Sequence, residues 1–336
     1  MSGRYKTLQT EIDFPQGERW LQREAVQNSE QNAKQKRIAL EQFDDFLTSY
    51  GFDSLESVDN TVLEDFSVWL DDERGHAHST LSHRWYAVRA YLNKHVEDGL
   101  GYLDVDDEWI LSWIDQGTET VKQQDRDVHW LPLDTIEQLI EGAKNLKNRL
   151  VIELLWNTGC RPSEISRMKL RRLNRDGRSI EVKTSKVQDS DAPNYERTVF
   201  YSRSMRKTMR EWLDRGGRDS HPFADDSPYL VVGYNTPSID ARQINKIVRM
   251  AAEEAGIQED MIQRSDDETN YRVTPKTLRH SFAVHSVRGR DKSGSPPIDL
   301  ERLRRLMGHS SLEVTRHYLQ YRESELRDAY DASHPA

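Results

Sequence analysis

Apolar residues recur at helical spacing through the first hundred positions of this 336-residue chain, and this pattern constrains its fold more than any other feature. One predicted helix covers residues 31–50 and stops at Gly51. A second begins at Asp59 or Asn60, and a third runs from near Ser79 to about residue 95. The chain therefore begins with segments that can bury one face each, as in a small all-helical domain.

The periodicity changes in the second half of the chain. Residues 178–186 (RSIEVKTSK) and 196–202 (ERTVFYS) alternate or are rich in β-branched residues, which predicts a hairpin. YLVVGY (229–234) predicts a further short strand. Helical patterns then resume at 238–256, 275–290, 298–307 and 311–321. We expect a mainly α fold with a small antiparallel β-sheet.

These patterns divide the chain into five parts. Residues 1–30 carry little pattern and predict a flexible N-terminal arm, and 31–116 predict the helical domain, with a short last helix at 106–117. The charged, unpatterned stretch 117–129 predicts a linker. A mixed α+β domain is expected over 130–322, followed by a C-terminal tail over 323–336.

Composition limits the partners and the compartment. No run of 18 apolar residues exists and the N-terminus lacks an apolar signal core, so we expect a cytoplasmic protein without a membrane span. The lone Cys160 excludes an internal disulfide and a cysteine zinc site. The net charge of −9 argues mildly against a nucleic-acid partner, but residues 160–178 hold seven Arg or Lys against two acids.

Several cations and one tyrosine stand in recognisable local frames in the second half. They are Arg161 in TGCRPSEI, Lys186 in TSK, Lys276 and Arg279 in TPKTLRHSF, and His309 and Tyr318 in LMGHSSLEVTRHY. Cations offset the charge that grows on phosphate oxygens, and a tyrosine oxygen can attack phosphorus. The set predicts phosphoryl transfer without a metal, with Glu164 placed to hold the Arg161 guanidinium.

Each residue taken alone has a plainer interpretation. Arg161 can be a surface arginine, and Lys276 and Arg279 can form a basic helix face in water. Lys186 can protect a sheet edge, and Tyr318 can be a core residue. Tyr321, one helical turn later, competes with Tyr318 for the nucleophile role.

A metal site is a weaker hypothesis. His280, His285, His309 and His317 could be read as a zinc cluster, but Arg279 and Arg316 would then stand beside the ion. The motifs of zinc proteases, calcium loops and phosphate-binding loops are absent.

In these boxes the chain resembles the tyrosine recombinases of the phage integrase family, strongly over 130–322 and by helical pattern alone over 31–115. TGCRPSEI resembles the first arginine box, and SIEVKTSK the strand that leads to the catalytic lysine, with Lys183 as the alternative to Lys186. TPKTLRHSFAVH resembles the second arginine box, although Lys276 stands where the family most often has histidine. LMGHSS and TRHYLQY resemble the last histidine box and the nucleophile segment.

The resemblance implies roles for these residues. Tyr318 would attack a scissile phosphate, form a 3′-phosphotyrosine and release a 5′-hydroxyl. Arg161 and Arg279 would hold the non-bridging oxygens. His309 and Lys276 would assist by hydrogen bonding and proton management, and Lys186 would protonate the leaving oxygen. The bond energy stays in the covalent link, so the resemblance implies neither ATP nor a metal cofactor.

The resemblance also implies partners. These are double-stranded DNA with a specific recombination site, three further copies of the chain in a tetramer, and accessory DNA-bending factors. The exposed side of the 79–95 helix is the expected groove contact. The alternatives are a type IB topoisomerase that relaxes DNA, a non-catalytic DNA-binding relative, and a helical interaction protein whose boxes arise by chance.

Overall fold

The chain divides into two compact units, Met1–Arg126 and Asp127–Ala336. The structure is a computed structural model, and it describes residues 7–76, 78–95, 129–184, 196–263, 269–289 and 296–309, together with Leu312 and Thr315. The helix expected at 106–117, nearly all of the linker expected at 117–129 and the tail expected at 323–336 lie outside the described residues, as does most of the helix expected at 311–321.

The described part of the first unit is helical, as predicted. Its helices are α1 (Gly17–Gln27), α2 (Glu30–Ser49), α3 (Asn60–Asp72) and α4 (His78–His95), with a 3₁₀ turn at Leu55–Ser57. Two begin at side-chain caps: Ser29 accepts a hydrogen bond from the Asn32 N–H and Asp59 accepts one from the Val62 N–H. Phe43, Phe46 and Phe66 pack in the core between α2 and α3.

The N-terminal stretch differs from the flexible arm expected over 1–30. Helix α1 lies within it, and Trp20 is buried with an edge-on contact to Tyr91. The chain before α1 is tied to α2, because the buried Asp44 carboxylate accepts the main-chain N–H groups of Glu11 (2.8 Å) and Ile12 (2.9 Å). The described residues 7–30 are therefore part of the folded unit. Hydrophobic periodicity did not predict this, because the stretch has few apolar side chains and is anchored through its main chain by a buried acid.

The second unit combines helices with two small sheets. Its helices are α5 (Leu133–Glu141), α6 (Leu146–Thr158), α7 (Pro162–Ile165), α8 (Met205–Asp214), α9 (Ala241–Glu254), α10 (Pro275–Arg288) and α11 (Leu300–Met307). Every residue of α6 from Leu150 to Thr158 is buried. Helices α5, α8, α9 and α10 all contact α6, which explains why its VIELLWNT run is buried on nearly every side.

The predicted hairpin is confirmed as part of a three-stranded antiparallel sheet. Strands β2 (Ser179–Lys183) and β3 (Glu196–Phe200) pair with Lys183 opposite Glu196, and β1 (Leu173–Asn174) adds to β2. A second antiparallel pair, β4 (Asp260–Gln263) and β5 (Thr269–Tyr271), was not predicted. The mainly α fold with a small antiparallel sheet is therefore confirmed.

The strand expected at 229–234 is wrong. Tyr229 forms only an isolated bridge with Lys169. Other groups take the main-chain bonds that a strand would need: the Leu230 carbonyl accepts from the Trp212 indole (2.9 Å), and the Tyr229 carbonyl accepts from Arg218. Leu230, Val231 and Val232 are buried, so the apolar run reflects a core position and not sheet pairing. Within the described ranges, no helix has both the length and the apolar character that crossing a bilayer requires.

Candidate active site

The TGCRPSEI box forms a tight turn between α6 and α7. Gly159 ends α6 with a left-handed φ of 60°, and a Cβ there would lie 2.3 Å from the Phe282 ring, so the position requires glycine. Pro162 occupies the first position of α7, where its missing N–H costs nothing. The turn leaves the Arg161 side chain 28% exposed, at the edge of a buried cluster.

Glu164 is the buried centre of that cluster. Its side chain has no exposed surface, and its carboxylate accepts the Arg161 main-chain N–H at 2.7 Å. The Arg161 Nη1 lies 3.4 Å from Glu164 Oε1, and the Arg279 Nη1 lies 4.0 Å from Glu164 Oε2. Arg197 donates to both oxygens, each at 2.9 Å. Three guanidinium groups therefore surround one carboxylate.

Arg279 lies in α10, one turn after the start that Thr274 caps. Its side chain is 8% exposed. It donates to the carbonyl of Gly159, to that of Met307 at 2.7 Å, and to His309 Nε2, for which the N···N distance is 2.9 Å. This one side chain thereby connects the first arginine box with the histidine box.

His309 is placed by the end of α11. Gly308 has a left-handed φ of 65°, and the His309 N–H bonds back to the Arg304 carbonyl at 3.1 Å, as in a Schellman end. Its Nδ1 lies 3.0 Å from the Thr315 hydroxyl oxygen. A guanidinium can only donate, so Nε2 accepts from Arg279 and the ring proton lies on Nδ1, which donates to Thr315.

Electrostatics keep this imidazole neutral and the carboxylate charged. Burial, together with the guanidiniums of Arg279 and Arg161, lowers the pKa of His309 to about 3. Burial alone would raise the pKa of Glu164, but hydrogen bonds and charge attraction from Arg197 outweigh it and the pKa is lowered. The centre thus combines three guanidinium groups, one carboxylate and a neutral ring, an arrangement suited to binding an anion such as phosphate.

The other predicted site residues are only partly described. Lys276 is exposed at the start of α10, three residues before Arg279. Lys183, the alternative lysine, lies on β2 with its Nζ 3.6 Å from Glu196 Oε1. Lys186, Tyr318 and Tyr321 lie outside the described residues. In the part of the chain that the structure describes, no three His, Cys, Asp or Glu side chains are grouped to hold a metal.

Sequence reasoning missed one residue of this cluster, Arg197. Its side chain is 3% exposed. A signal for it exists, because residues 197, 199 and 201 share one face of a strand, and Val199 and Tyr201 are buried. An arginine on the core-facing side of a strand indicates a buried ion pair.

Comparison with known proteins identifies the family of this chain. The profile of the phage integrase family matches residues 129–325, more than half of the chain, and that of the phage integrase SAM-like domain matches 18–106. Tyrosine recombinase XerC of Corynebacterium glutamicum is 27% identical over 287 residues, which cover 84% of this chain and 82% of that protein.

Two solved structures share the fold. The XerH site-specific recombinase bound to its difH substrate, in a pre-cleavage complex, aligns with a TM-score of 0.65 and 17% identity over 96% of this chain and 84% of that one. A lambda integrase (75–356) dimer bound to a COC′ core site aligns with a TM-score of 0.58 and 14% identity over 92% and 95%. The chain belongs to the phage integrase family and is a site-specific tyrosine recombinase, an enzyme that cleaves and rejoins DNA.

Proposed function

We propose that this recombinase cleaves DNA through a 3′-phosphotyrosine at Tyr318. The observation that carries the proposal is the convergence of three separate segments: Arg161 and Arg279 approach Glu164, and His309 contacts Arg279. Preorganised cations of this kind stabilise the charge that develops on a transferring phosphoryl group. The matched family range, 129–325, includes position 318.

The residues take complementary roles in the proposed reaction. Arg161 and Arg279 bind the two non-bridging oxygens. The Tyr318 hydroxyl gives its proton to water as its oxygen forms a bond to phosphorus and the bond to the 5′ oxygen breaks. Lys186 gives the leaving oxygen its proton, with Lys183 as the alternative donor. Lys276 hydrogen-bonds the phosphate, and His309 assists by holding the Arg279 guanidinium through Nε2. Attack by the 5′-hydroxyl of a partner strand on the phosphotyrosine then restores the phosphodiester and releases the tyrosine.

We further propose that the helical unit contacts the DNA through α4. His83 and Arg84 line a groove of about 500 Å³ between α2 and α4, together with Lys36 and Asn32. Arg84 is held there by hydrogen bonds to the Gln35 carbonyl (2.9 Å) and side chain (3.0 Å). A held cation in a groove can contact backbone phosphate at little cost in side-chain entropy.

The proposed assembly is a homotetramer on two copies of a specific double-stranded site, aided by accessory DNA-bending factors, in the cytoplasm where such DNA lies. The proposed domains are the helical unit, the catalytic domain over 130–322 and a tail over 323–336 that packs on a neighbouring protomer. Crosslinking with and without site DNA would test the tetramer. A species no larger than a monomer on two-site DNA would refute it.

A nicked DNA substrate that traps the covalent intermediate tests the chemistry. We expect wild-type protein to accumulate a protein–DNA adduct and mass spectrometry to find the modification on Tyr318. Tyr318→Phe should abolish the adduct and keep DNA binding, while Tyr321→Phe, the matched control, should form it. An adduct on Tyr321 would refute the assigned nucleophile. Relaxation of plasmid DNA lacking any target site, without strand exchange, would indicate a topoisomerase instead.

A further inference from the structure

We infer that Arg197, on strand β3, is a positioning residue for DNA cleavage. Its guanidinium holds together Glu164, the end of β2 and the turn before His309, three segments far apart in the sequence. The inference rests on the proposed phosphotyrosine function. It assigns to a residue outside the expected catalytic set the task of keeping that set in place.

The first contact fixes the carboxylate. Arg197 Nη1 and Nη2 donate to Glu164 Oε1 and Oε2, each at 2.9 Å, which is the two-pronged geometry that arginine makes best. Glu164 then contacts Arg161 mainly through the main-chain N–H, at 2.7 Å, and only at 3.4 Å through the guanidinium. Arg197 thus occupies the carboxylate so that the Arg161 guanidinium is not bound in a close pair, and its donors can face a phosphate.

The second contact fixes the histidine box. Arg197 Nε donates to the Leu306 carbonyl at 2.8 Å, near the end of α11. A Cβ built on Gly308 would lie 2.8 Å from Arg197 Nη1, so the guanidinium packs against the turn itself. The positive φ of Gly308 sets the shape of the turn, and the Arg197 guanidinium packs against one side of it. His309 follows directly and meets Arg279 from this turn.

The third contact reaches the hairpin. Arg197 Nη1 donates to the Thr184 hydroxyl oxygen at 2.5 Å, where β2 ends. Thr184 stands two positions before Lys186 in the sequence. The same guanidinium therefore anchors the end of strand β2, shortly before the proposed catalytic lysine in the sequence.

The Cys160 thiol lies beside Arg197 but carries no negative charge that could compete with Glu164 for the guanidinium. Arg197 Nη2 lies 3.7 Å from the Cys160 sulfur. Burial raises the pKa of Cys160 to about 11, so this thiol stays neutral near pH 7. Glu164 is an anionic partner of Arg197, and loss of the Arg197 guanidinium would release the Glu164 carboxylate toward Arg161 and Arg279.

A matched pair of buried arginines allows a sharp test. Arg218 lies in the same unit and, taken over the whole residue, is 6% exposed, as is Arg197, but its donors bind the carbonyls of Ala224 (2.7 Å), Ser227 (2.6 Å) and Tyr229. Arg197→Lys and Arg197→Met would be compared with Arg218→Lys and Arg218→Met. The measurements are the single-turnover rate of adduct formation on nicked site DNA, the DNA affinity, and the thermal midpoint.

We expect Arg197→Lys to slow adduct formation by about 10–100-fold with DNA affinity within about twofold of wild type, since lysine keeps the charge but not the fork. Arg218→Lys should leave the rate per folded molecule within about twofold even where its thermal midpoint falls. Glu164→Gln should cost much less in the Arg197→Met background than in wild type, because both changes disturb the same contact. As pH falls, Arg197→Met should lose activity at a higher pH than wild type does. Without Arg197, the pKa of Glu164 rises and this carboxylate protonates more easily, although it still faces Arg161, Arg279, Cys160 and His309.

Opposite results would overturn the inference. These are an Arg197→Lys rate within about twofold of wild type, or rates that fall in parallel with thermal midpoints in the Arg197 and Arg218 series alike. If Arg197→Met fails to fold, Arg197→Lys decides. Failure of the proposed function would look different: wild-type protein would form no adduct, or Tyr318→Phe would form one.

Discussion

Arg197 and Arg218 are two buried arginines of the same unit whose surroundings are built differently. Arg218 is enclosed by main-chain carbonyls, and burial lowers its pKa. Arg197 instead binds the carboxylate of Glu164, which Arg161 and Arg279 also approach. Neutral carbonyls take the hydrogen bonds of Arg218, and the charges of Asp219 and Asp225 favour its cation, whereas the Glu164 site gathers three cations around one anion.

Under the proposed function, the difference separates a structural site from a functional one. Carbonyl dipoles can hold a guanidinium without any further ligand, so nothing about Arg218 calls for a substrate. Around Glu164 the positive charge exceeds the negative, since His309 is neutral at the pH where DNA is cleaved. Excess buried charge lowers stability unless a counter-charge arrives, and a DNA phosphate supplies one. The predictions below test this contrast, from the largest expected effect to the smallest.

Removing the anion should have the largest effect. Glu164→Gln removes the carboxylate that three guanidinium groups share, and we expect the free energy of unfolding to fall by about 3–5 kcal/mol in urea titrations. Glu153→Gln is the matched control: it is also buried, but burial raises the pKa of Glu153, so a neutral amide there should cost much less. Equal losses in the two variants would remove the distinction between the sites.

Removing one of the two arginines proposed to bind the phosphate should mainly affect catalysis. Arg279→Ala should slow adduct formation by about 10²–10³-fold, equivalent to about 3–4 kcal/mol, because a preorganised charge contact is lost. Arg161→Ala should behave in the same way. The control is Arg288→Ala on the same helix, whose guanidinium packs over Trp130. Ordinary cleavage by both site variants would refute the phosphate clamp.

The neutral histidine should appear in the pH dependence of stability. The pKa of His309 is about 3 in the folded chain, below its ordinary value near 6.5, so the unfolded chain binds a proton that the folded chain excludes. The contribution of neutral His309 to the free energy of unfolding is therefore fully present above about pH 6.5. It is lost as pH falls toward 3, by up to about 1.4 kcal/mol per pH unit. His309→Gln should flatten this slope between about pH 7 and 5, where Glu164 stays ionised. An unchanged slope would contradict the assignment.

The smallest effect is expected at the exposed edge of the site. Lys276→His should reduce cleavage by less than about tenfold at pH 6, where much of the imidazole is charged, and by more at pH 8. Lys276→Gln is the control that removes the cation at both values. A histidine variant as poor as the glutamine variant at pH 6 would show that position 276 needs lysine for more than its charge.

Local pattern predicted the helices well because it depends on residues within four positions of each other. The apolar faces of α2, α3 and α4 and the caps of α2 and α3 lie within such windows, and all three helices form as expected. The two short sheets show the limit of this approach. Strand β1 has only two residues, which is too short for an alternation pattern. Periodicity therefore cannot predict that it pairs with β2.

The sequence by itself determined which side chains could react with a phosphate, because each box carries its own turn, cap or glycine: Gly159 before Arg161, Thr274 before Arg279 and Gly308 before His309. Only the tertiary structure decided how these boxes are held together. Arg197 lies 33 residues from Glu164 and 109 from Leu306, and its partners follow from packing across β3, α7 and α11. A buried charge is stable only where distant groups meet it, and no local window contains them.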